Sequence, residues 1–232
     1  MSDALEKVLG IKHLSLFPLP LVLLPNEVLP LHIFEPRYRK LFKDIELEKN
    51  IFGVTLFDPQ ENFAEKPSIG SIGCAAEVRE SQTMDDGRSN ILTIGLTRYR
   101  LLEYVDAGEP YLIGDVEFFE DDAEESVILE PLVQEVGDLF ERVAKAAHQL
   151  SGQRSSFPEI PRGDAELLSF LVTAAFNLEN DLKYELLETR STVTRLEKLR
   201  GILLQSVEKV EENAAIQKVA QSNGHSKKKI DI

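Results

Sequence analysis

The residues of this chain whose chemistry is most suggestive lie together in one stretch, PLHIFEPRYRKLF, at residues 30–42. His32 carries an imidazole, Glu35 a carboxylate and Arg37 a guanidinium. A histidine near a carboxylate is typical of general acid–base catalysis, and a carboxylate near an arginine is typical of an ion pair. Histidines that stand alone among apolar residues and prolines are more often packed and hydrogen-bonded than catalytic. We therefore expect this stretch to be a structural corner of the fold.

Glu35 is placed to pair with an arginine at the start of a helix. Pro36 suits the first helical position, where the preceding carboxylate can accept amide hydrogen bonds and faces the positive end of the helix dipole. We predict that Glu35 forms a partly buried structural ion pair with Arg37. Removing one member of a buried pair costs about 3–5 kcal/mol, so Glu35→Ala is expected to lower the melting temperature sharply. The alternative arginine partners are Arg39, Arg98 and Arg100.

The other polar residues show no spacing typical of a catalytic or metal site. The single cysteine, Cys74, lies among small apolar residues and is expected to be buried and inert. Carboxylates make an acid–base or metal site only when they converge in a pocket, which adjacency alone does not provide. We expect no catalytic residue, no metal site and no cofactor. The residues set aside on these grounds are His13, His148, His225, Asp85, Asp86, Asp121, Asp122, Ser151, Ser155 and Ser156.

The composition is that of a globular protein with a strongly acidic surface. The chain has 232 residues, of which 43% are hydrophobic, and a formal net charge of −14. Nucleic-acid affinity comes mostly from phosphate neutralisation, so this charge argues against general nucleic-acid binding. No run approaches the roughly 18 apolar residues of a membrane helix, and the start, MSDALEKVLGIKHL, lacks the pattern of a signal peptide. We expect no nucleic-acid partner, no membrane partner and a cytoplasmic or comparable reducing compartment.

Residues 14–119 have the pattern of a β-rich region interrupted by one helix. Short apolar or alternating runs are separated by turn signals such as the DDG of residues 85–87. A helix is predicted from Pro36, because the apolar residues that follow it have helical spacing. Many short strands with glycine and proline between them are typical of a closed or nearly closed barrel. The predicted strands are 14–19, 21–24, 29–34, 51–57, 69–79, 90–96, 99–105 and 111–118.

The C-terminal half has a helical period. Residues 120–126 are mostly acidic and predict a solvated connector. Helices are predicted from Pro131, from Asp164 as an N-cap, and from about Asp181 past Glu208. Strands followed by helices define the α+β class. The predicted segments are a lead-in at 1–13, a β-rich barrel at 14–119, an acidic connector at 120–130, a helical bundle at 131–210 and a frayed or disordered tail at 211–232.

Four pieces of the sequence follow one another in an order and spacing typical of a known family. The first, FPLPLVLLPNEVLPLHIFEPRYRKL, contains an FPL strand, an LPL strand and an E-x-R-Y-like helix start. The others are GSIGCAAEVRE, DDGRSNILTIGLTRYRLLEY and NDLKYELLETRSTVTRLEKLRGIL. Over about residues 14–205 they resemble the LON domain, the N-terminal substrate-binding domain of ATP-dependent Lon (La) proteases.

The resemblance implies a PUA-like β-barrel followed by a helical bundle, in a domain that helps to capture unfolded or tagged polypeptides. In Lon proteins the motor and the protease lie further along the chain. The sequence contains neither a G-x-x-x-x-G-K-[ST] phosphate loop nor a counterpart of the Ser–Lys protease segment. We therefore expect a stand-alone, ATP-independent LON-domain protein that recognises substrates in protein quality control and is not an enzyme.

Exposed apolar residues are the expected means of binding polypeptide segments or a protease or chaperone partner. One alternative is a hydrolase or peptidase, which would require a deep polar pocket with convergent groups of shifted pKa. Another is RNA binding, which would require a continuous positive patch. The client and the oligomeric state are left open. The candidate contact residues are Phe17, Leu21, Leu23, Phe34, Phe157 and Ile160.

Overall fold

A computed structural model describes residues 2–57, 66–150 and 160–223 of the chain. Within those residues the chain forms six helices and six strands, an α+β organisation. The helices are α1 (Asp3–Val8), α2 (Pro36–Glu46), α3 (Ser126–Leu150), α4 (Ala165–Ala175), α5 (Asn180–Glu188) and α6 (Thr192–Asn223). The strands are β1 (His13–Leu19), β2 (Val28–Ile33), β3 (Ile51–Leu56), β4 (Ile72–Thr83), β5 (Ser89–Tyr104) and β6 (Leu112–Phe119).

The described strands form one mixed sheet in the order β2-β5-β4-β3-β1-β6. Strands β1 and β3 pair in parallel, and the other pairs are antiparallel. Strand β6 pairs with β1 on one side and with the second half of β5 on the other, so the pairing returns to β5. Strand β5 is 16 residues long, and its first half is left to pair with β2. As a result, β2 lies outside the ring of paired strands.

The space between the strands is filled around one buried tyrosine. Tyr99 is 1% exposed, and its hydroxyl donates a hydrogen bond to the carbonyl of Val54 over 3.3 Å. A Cβ atom at Gly73 would lie 2.5 Å from the Tyr99 ring, and one at Gly53 would lie 2.7 Å from its hydroxyl. Glycine at both positions therefore allows a large aromatic side chain to pack directly against two strands.

Helix α2 covers a core that β2 also contacts. Tyr38, Leu41, Phe42 and Ile45 are spaced as one helical stripe and are buried. They pack with buried residues of β1, β3, β4 and β5, and the inward side chains of β2 join the same cluster. The helix begins at Pro36 as predicted from the sequence.

The described residues form two compact units. The first contains the residues up to Asp122 together with Thr173–Arg190, and the second contains Ala123–Val172 together with the residues from Ser191 onward. In the second unit α3 and α6 run in the same direction. Glu124, which precedes α3, accepts hydrogen bonds from the Ser191 hydroxyl (2.6 Å) and the Val193 amide (2.9 Å) at the start of α6.

A fully buried arginine lies inside the second unit. Arg195 of α6 donates from Nε to the Ser169 hydroxyl of α4 over 2.7 Å. Its guanidinium carbon lies 4.0 Å from the centre of the Phe170 ring, a cation–π geometry. Among the described helices of the chain, none is both long and apolar enough to cross a membrane.

The structure differs from the sequence-based elements at several points. The predicted lead-in contains α1, whose first turn is capped by the Ser2 hydroxyl. Residues 21–24 form no strand, and the two strands predicted over residues 90–105 are the single strand β5. Helix α3 begins at Ser126, so Pro131 lies inside it.

The helix predicted from Asp181 past Glu208 is two helices, α5 and α6. Thr189 has extended backbone angles and ends α5, while the Ser191 hydroxyl accepts from the Thr194 amide over 3.0 Å and caps α6. The Asp164 N-cap is present, since its carboxylate accepts from the Leu167 amide over 3.0 Å.

Candidate functional site

The most exposed apolar surface of the sheet lies on the outward face of β2 and β5. We define the outer stripe as Val28, Pro30, Phe34, Leu92 and Ile94. The strand register places Val28 opposite Ile94 and Pro30 opposite Leu92, while Phe34 directly follows β2. Val28 is 56% exposed and Phe34 58%, and the two β5 residues are half-buried. The stripe is a row of apolar side chains that is exposed along β2 and half-buried along β5.

The alternation of β2 explains how one strand serves both a core and this stripe. Successive side chains of a strand point to opposite faces, so Leu29, Leu31 and Ile33 turn inward. They pack in the core cluster under α2. A shift of one residue in the register between β2 and β5 would turn these three side chains to solvent. Burial of the inner face therefore fixes the register in which the stripe faces outward.

His32 belongs to the same face as the outer stripe. Its Nδ1 lies 2.7 Å from Asn90 Oδ1 on the opposite strand, and its ring stacks on Phe34 with centroids 6.0 Å apart. These contacts hold the Phe34 ring along the strand, although the ring is exposed. We therefore interpret His32 as a residue that orients the stripe and not as a catalytic base.

The border of the stripe on β4 is acidic. Glu80 lies opposite Leu92, and Glu77 lies opposite Ile94. Glu77 is neutralised by Lys7 at 2.6 Å and Arg79 at 3.0 Å. Glu80 is exposed and forms no ion pair within the described residues. The stripe therefore presents apolar side chains beside an uncompensated negative charge.

The corner that contains Glu35 is more exposed than predicted. Arg37 Nε lies 2.9 Å from Glu35 Oε2, but the two side chains are 48% and 39% exposed. The Glu35 carboxylate makes no hydrogen bond to the start of α2. The Arg37 guanidinium also stacks over the Tyr38 ring at 4.5 Å. Exposed pairs contribute about 0–1 kcal/mol, so the exposure of this pair predicts a smaller loss of stability for Glu35→Ala than a buried pair would give.

A cleft of about 550 Å³ opens next to this corner. Aromatic rings and prolines make up most of its wall, and Arg37, Lys66 and Glu109 supply charge. The Tyr111 hydroxyl donates to Asp44 over 2.8 Å, and Lys40 donates to the same carboxylate over 2.5 Å. The uncharged wall residues are Pro18, Tyr38, Phe57, Pro110, Tyr111 and Leu112.

Two groups at the cleft, Tyr111 and Asp44, have pKa values that are shifted away from neutral pH. Burial, assisted by the hydrogen bond to Asp44, raises the pKa of Tyr111 to about 12. Burial would raise the pKa of Asp44, but its hydrogen bonds with Lys40 and Tyr111 outweigh that effect and lower it. A general acid or base works best with a pKa near the working pH. Neither Tyr111 nor Asp44 therefore has the pKa of an efficient general acid or base at neutral pH.

The structure separates the predicted contact residues. Phe17 and Leu23 are buried in the core under α2, so a partner cannot reach them in this conformation. Leu21 is half-buried against the same core, and Phe34 is exposed on the outer stripe. Ile160 is half-buried, and Phe157 lies outside the described residues. Hydrophobicity alone did not reveal which face each side chain takes.

The buried ion pair of the first unit joins two residues that were not predicted to pair. Arg98 and Asp121 have side chains that are 1% and 5% exposed, and an Arg98 Nη2–Asp121 Oδ1 hydrogen bond joins them. Arg98 also donates to the carbonyls of Leu187 (3.0 Å) and Thr189 (2.8 Å) at the end of α5. The acidic run was predicted to be solvated, but this pair buries Asp121. No group of three or more potential metal ligands occurs in the part of the chain that the structure describes.

The comparison with known proteins agrees with this fold. The family model for the ATP-dependent protease La (LON) substrate-binding domain matches residues 13–205. The chain therefore belongs to the LON substrate-binding domain family, which confirms the resemblance seen in the sequence. A Lon protease of Koribacter versatilis is 27% identical over 188 residues, covering 81% of this chain and 23% of that protein. The chain spans about a quarter of the length of the curated relatives it matches.

Two solved structures share the fold. A Lon N-terminal domain protein from Xanthomonas campestris has a TM-score of 0.61 at 25% identity, covering 82% of this chain and 97% of that chain. The N-terminal domain of a Mycobacterium avium complex Lon protease has a TM-score of 0.61 at 16% identity, covering 85% of this chain and 98% of that chain. The chain thus has the Lon N-terminal domain fold.

Proposed function

We propose that this chain recognises polypeptide segments on its outer stripe and releases them unchanged, as a substrate-recognition module in protein quality control. The observation that carries the proposal is the exposure of Val28 and Phe34 in a row of apolar side chains on the outward face of β2. Contiguous exposed apolar surface on a soluble fold marks interaction sites. Membership of a substrate-binding domain family supports a polypeptide as the occupant.

The stripe favours weak and reversible binding. Burying one large apolar side chain contributes about 1.5–3 kcal/mol, and association itself costs several kcal/mol. A surface with a few such anchors therefore captures segments transiently, which suits a module that passes its client to a protease or chaperone partner. Phe34 remains a proposed contact, with Leu21, Phe157 and Ile160 as secondary candidates.

The scaffold and the compartment are part of the same proposal. The return of the strand pairing to β5 supports a PUA-like barrel in the first unit, and the parallel pair α3 and α6 supports a helical bundle in the second. The pKa values of Tyr111 and Asp44 at the cleft are both shifted away from neutral pH. This supports a role in which the chain binds its client without catalysing a reaction. The single cysteine, Cys74, favours a reducing compartment such as the cytoplasm.

Binding to an unfolded client tests the proposal. The probe is reduced and carbamidomethylated lysozyme, a basic protein that cannot refold after this treatment, and the same protein in its folded state is the control. We expect the unfolded form to bind with a micromolar Kd and the folded form to bind at least tenfold more weakly. Equal binding of both forms, or progressive cleavage of the client, would contradict the proposal.

Substitutions on the stripe locate the contact. Phe34→Ser and Val28→Ser are expected to weaken binding of the unfolded client about fivefold to tenfold each, because each removes one apolar anchor. Leu47→Ser is the matched control, since Leu47 is 84% exposed but lies after α2 and away from the stripe. If Leu47→Ser weakens binding as much as Phe34→Ser does, the stripe is not the contact surface.

A further inference from the structure

Strand β2 has one edge that carries no partner strand in the described part of the chain. It stands at the end of the strand order and pairs with β5 alone. The Gly95 amide donates to the Glu27 carbonyl over 2.9 Å, which makes this opposed pair a hydrogen-bonded one. Bonded and non-bonded pairs alternate in an antiparallel ladder, so Leu29, Leu31 and Ile33 bond to β5. The backbone groups of Val28, Pro30 and His32 therefore point away from the sheet.

The free edge and the outer stripe coincide. Val28 and His32 offer amide donors, and Val28, Pro30 and His32 offer carbonyl acceptors, at the positions whose side chains form the outer face. Pro30 has no amide hydrogen, and it occupies a position where the ladder with β5 requires none. A strand added here would gain main-chain hydrogen bonds and would lay alternate side chains beside the stripe.

We propose that β2 accepts an extended client segment by antiparallel strand addition, with apolar residues at alternate positions and a net positive charge. This inference rests on the proposed function and specifies how the client is held. In antiparallel addition, the client residues that bond to Val28, Pro30 and His32 place their side chains on the same face as the stripe. One set of residues therefore makes both the hydrogen bonds and the apolar contacts.

Charge and Pro30 favour a client over a second copy of this chain. Two copies would each carry a net charge of −14, which opposes their association, whereas a basic segment is attracted. If two copies paired through this edge, an amide donor would be missing at Pro30 in both strands. With a client strand that contains no proline, only the donor at Pro30 of this chain would be missing. Proline on an edge strand is a known means of discouraging self-pairing.

Backbone-methylated peptides provide the decisive test, carried out with the full chain. The probe is an unlabelled, C-terminally amidated decapeptide of alternating valine and threonine with a lysine at each end, and its binding is measured by calorimetry. One variant is N-methylated on its valines and the other on its threonines, so both have the same side chains and the same number of methyl groups. We expect the valines to lie beside the stripe and to bond to β2. Methylation of the valines should then weaken binding at least tenfold relative to methylation of the threonines.

A change in the edge itself supplies the reciprocal test. His32→Pro removes one free amide, and His32→Ala removes the same side chain but keeps that amide. We expect His32→Pro to bind the decapeptide about two- to tenfold more weakly than His32→Ala, the effect of one hydrogen bond. Their melting temperatures should agree closely, because the amide of residue 32 is not used by the fold.

The outcomes separate this inference from the proposed function. If the two methylated peptides bind equally well while unfolded lysozyme still binds, strand addition is wrong and recognition by the stripe stands. Loss of binding on threonine methylation instead would overturn the antiparallel register. If neither peptide nor unfolded lysozyme binds, both proposals fail. Dimerisation of the free chain that His32→Pro abolishes would assign the edge to a second copy and overturn the inference.

Discussion

Two arginine–carboxylate pairs in the first unit have opposite surroundings. The Arg98–Asp121 pair is almost completely buried, at 1% and 5% exposure, whereas the Glu35–Arg37 pair is largely exposed. Glu35 and Arg37 are two positions apart, so local chain geometry is sufficient to bring them together. Arg98 reaches across 23 positions to Asp121 and across about 90 to the end of α5. The comparison shows that proximity in sequence makes an ion pair easy to predict and says little about its energetic weight.

The two pairs are expected to contribute differently to the stability of the fold, because the two arginines bind different groups. Arg98 bonds a carboxylate and two carbonyls at once, and its guanidinium lies 4.7 Å from the centre of the Phe119 ring. Helix C-terminal carbonyls have no intrahelical partner, so a buried guanidinium there satisfies groups that water cannot reach. Arg37 holds one exposed carboxylate, which water solvates when the pair is broken.

The largest effect is expected from removing the buried carboxylate. Asp121→Ala removes the carboxylate that pairs with the buried guanidinium of Arg98, and breaking one side of a buried pair typically costs about 3–5 kcal/mol. We expect a large fall in the urea midpoint of unfolding.

The neighbouring residue provides a control of matched chemistry. Asp122 pairs with Arg190 at 2.7 Å, but the two side chains are exposed. Asp122→Ala should therefore cost less than about 1 kcal/mol. Comparable losses from the two substitutions would show that burial does not set the weight of these pairs.

A smaller effect is expected from changing the shape of the buried cation while keeping its charge. In Arg98→Lys the ammonium cannot reach the carboxylate and both α5 carbonyls in the geometry of the guanidinium fork. We expect a loss of roughly 1.5–3 kcal/mol in urea unfolding, from one or two unmade hydrogen bonds to buried groups. Arg37→Lys is the matched control and should be nearly neutral. If Arg98→Lys is also neutral, charge alone accounts for the pair.

A still smaller effect is expected at the exposed pair. Glu35→Ala should lower stability by less than about 1 kcal/mol, because both side chains are solvated with or without the pair. The effect should shrink as salt is raised, since exposed charges are screened. Thermal unfolding at low and high salt measures both quantities. A loss of 3 kcal/mol or more would restore the earlier expectation of a buried pair at this corner.

Much of the fold could be predicted because its signals are local. The helical spacing of Tyr38, Leu41, Phe42 and Ile45 predicts α2, and the order of the four sequence pieces predicts the family. The break between α5 and α6 also has a local signal in Ser191, an N-cap residue that the longer apolar pattern obscured. Elements with their own caps and periods can be predicted without knowing their neighbours.

The candidate site could be predicted only in part, since it depends on which face each strand turns outward. Phe34 was identified, but Phe17 and Leu23 are core residues. Val28 lies just outside the predicted strand 29–34, although the alternation around Pro30 in β2 is a signal for a half-exposed edge strand. The burial of Asp121 depends on contact with Arg98 and α5, and no local pattern reports such a distant contact.

Glu27 is half-buried, so its exposure is intermediate between those of the two pairs. Its substitution should give the smallest effect, visible only as a pH dependence of stability. Burial raises the pKa of Glu27 above its ordinary value of 4.5, and the hydrogen bond from the Leu24 amide and the charge of Lys183 offset this only in part. The folded chain then holds a proton that the unfolded chain has released, so this group's contribution to stability is lost as pH rises through the raised pKa. Glutamine can still accept from the Leu24 amide and has no charge to bury. The stability of Glu27→Gln relative to wild type should therefore increase from pH 4.5 to pH 7.5 in urea unfolding. A relative stability that stays constant or decreases over this range would mean that burial does not penalise the charge of Glu27.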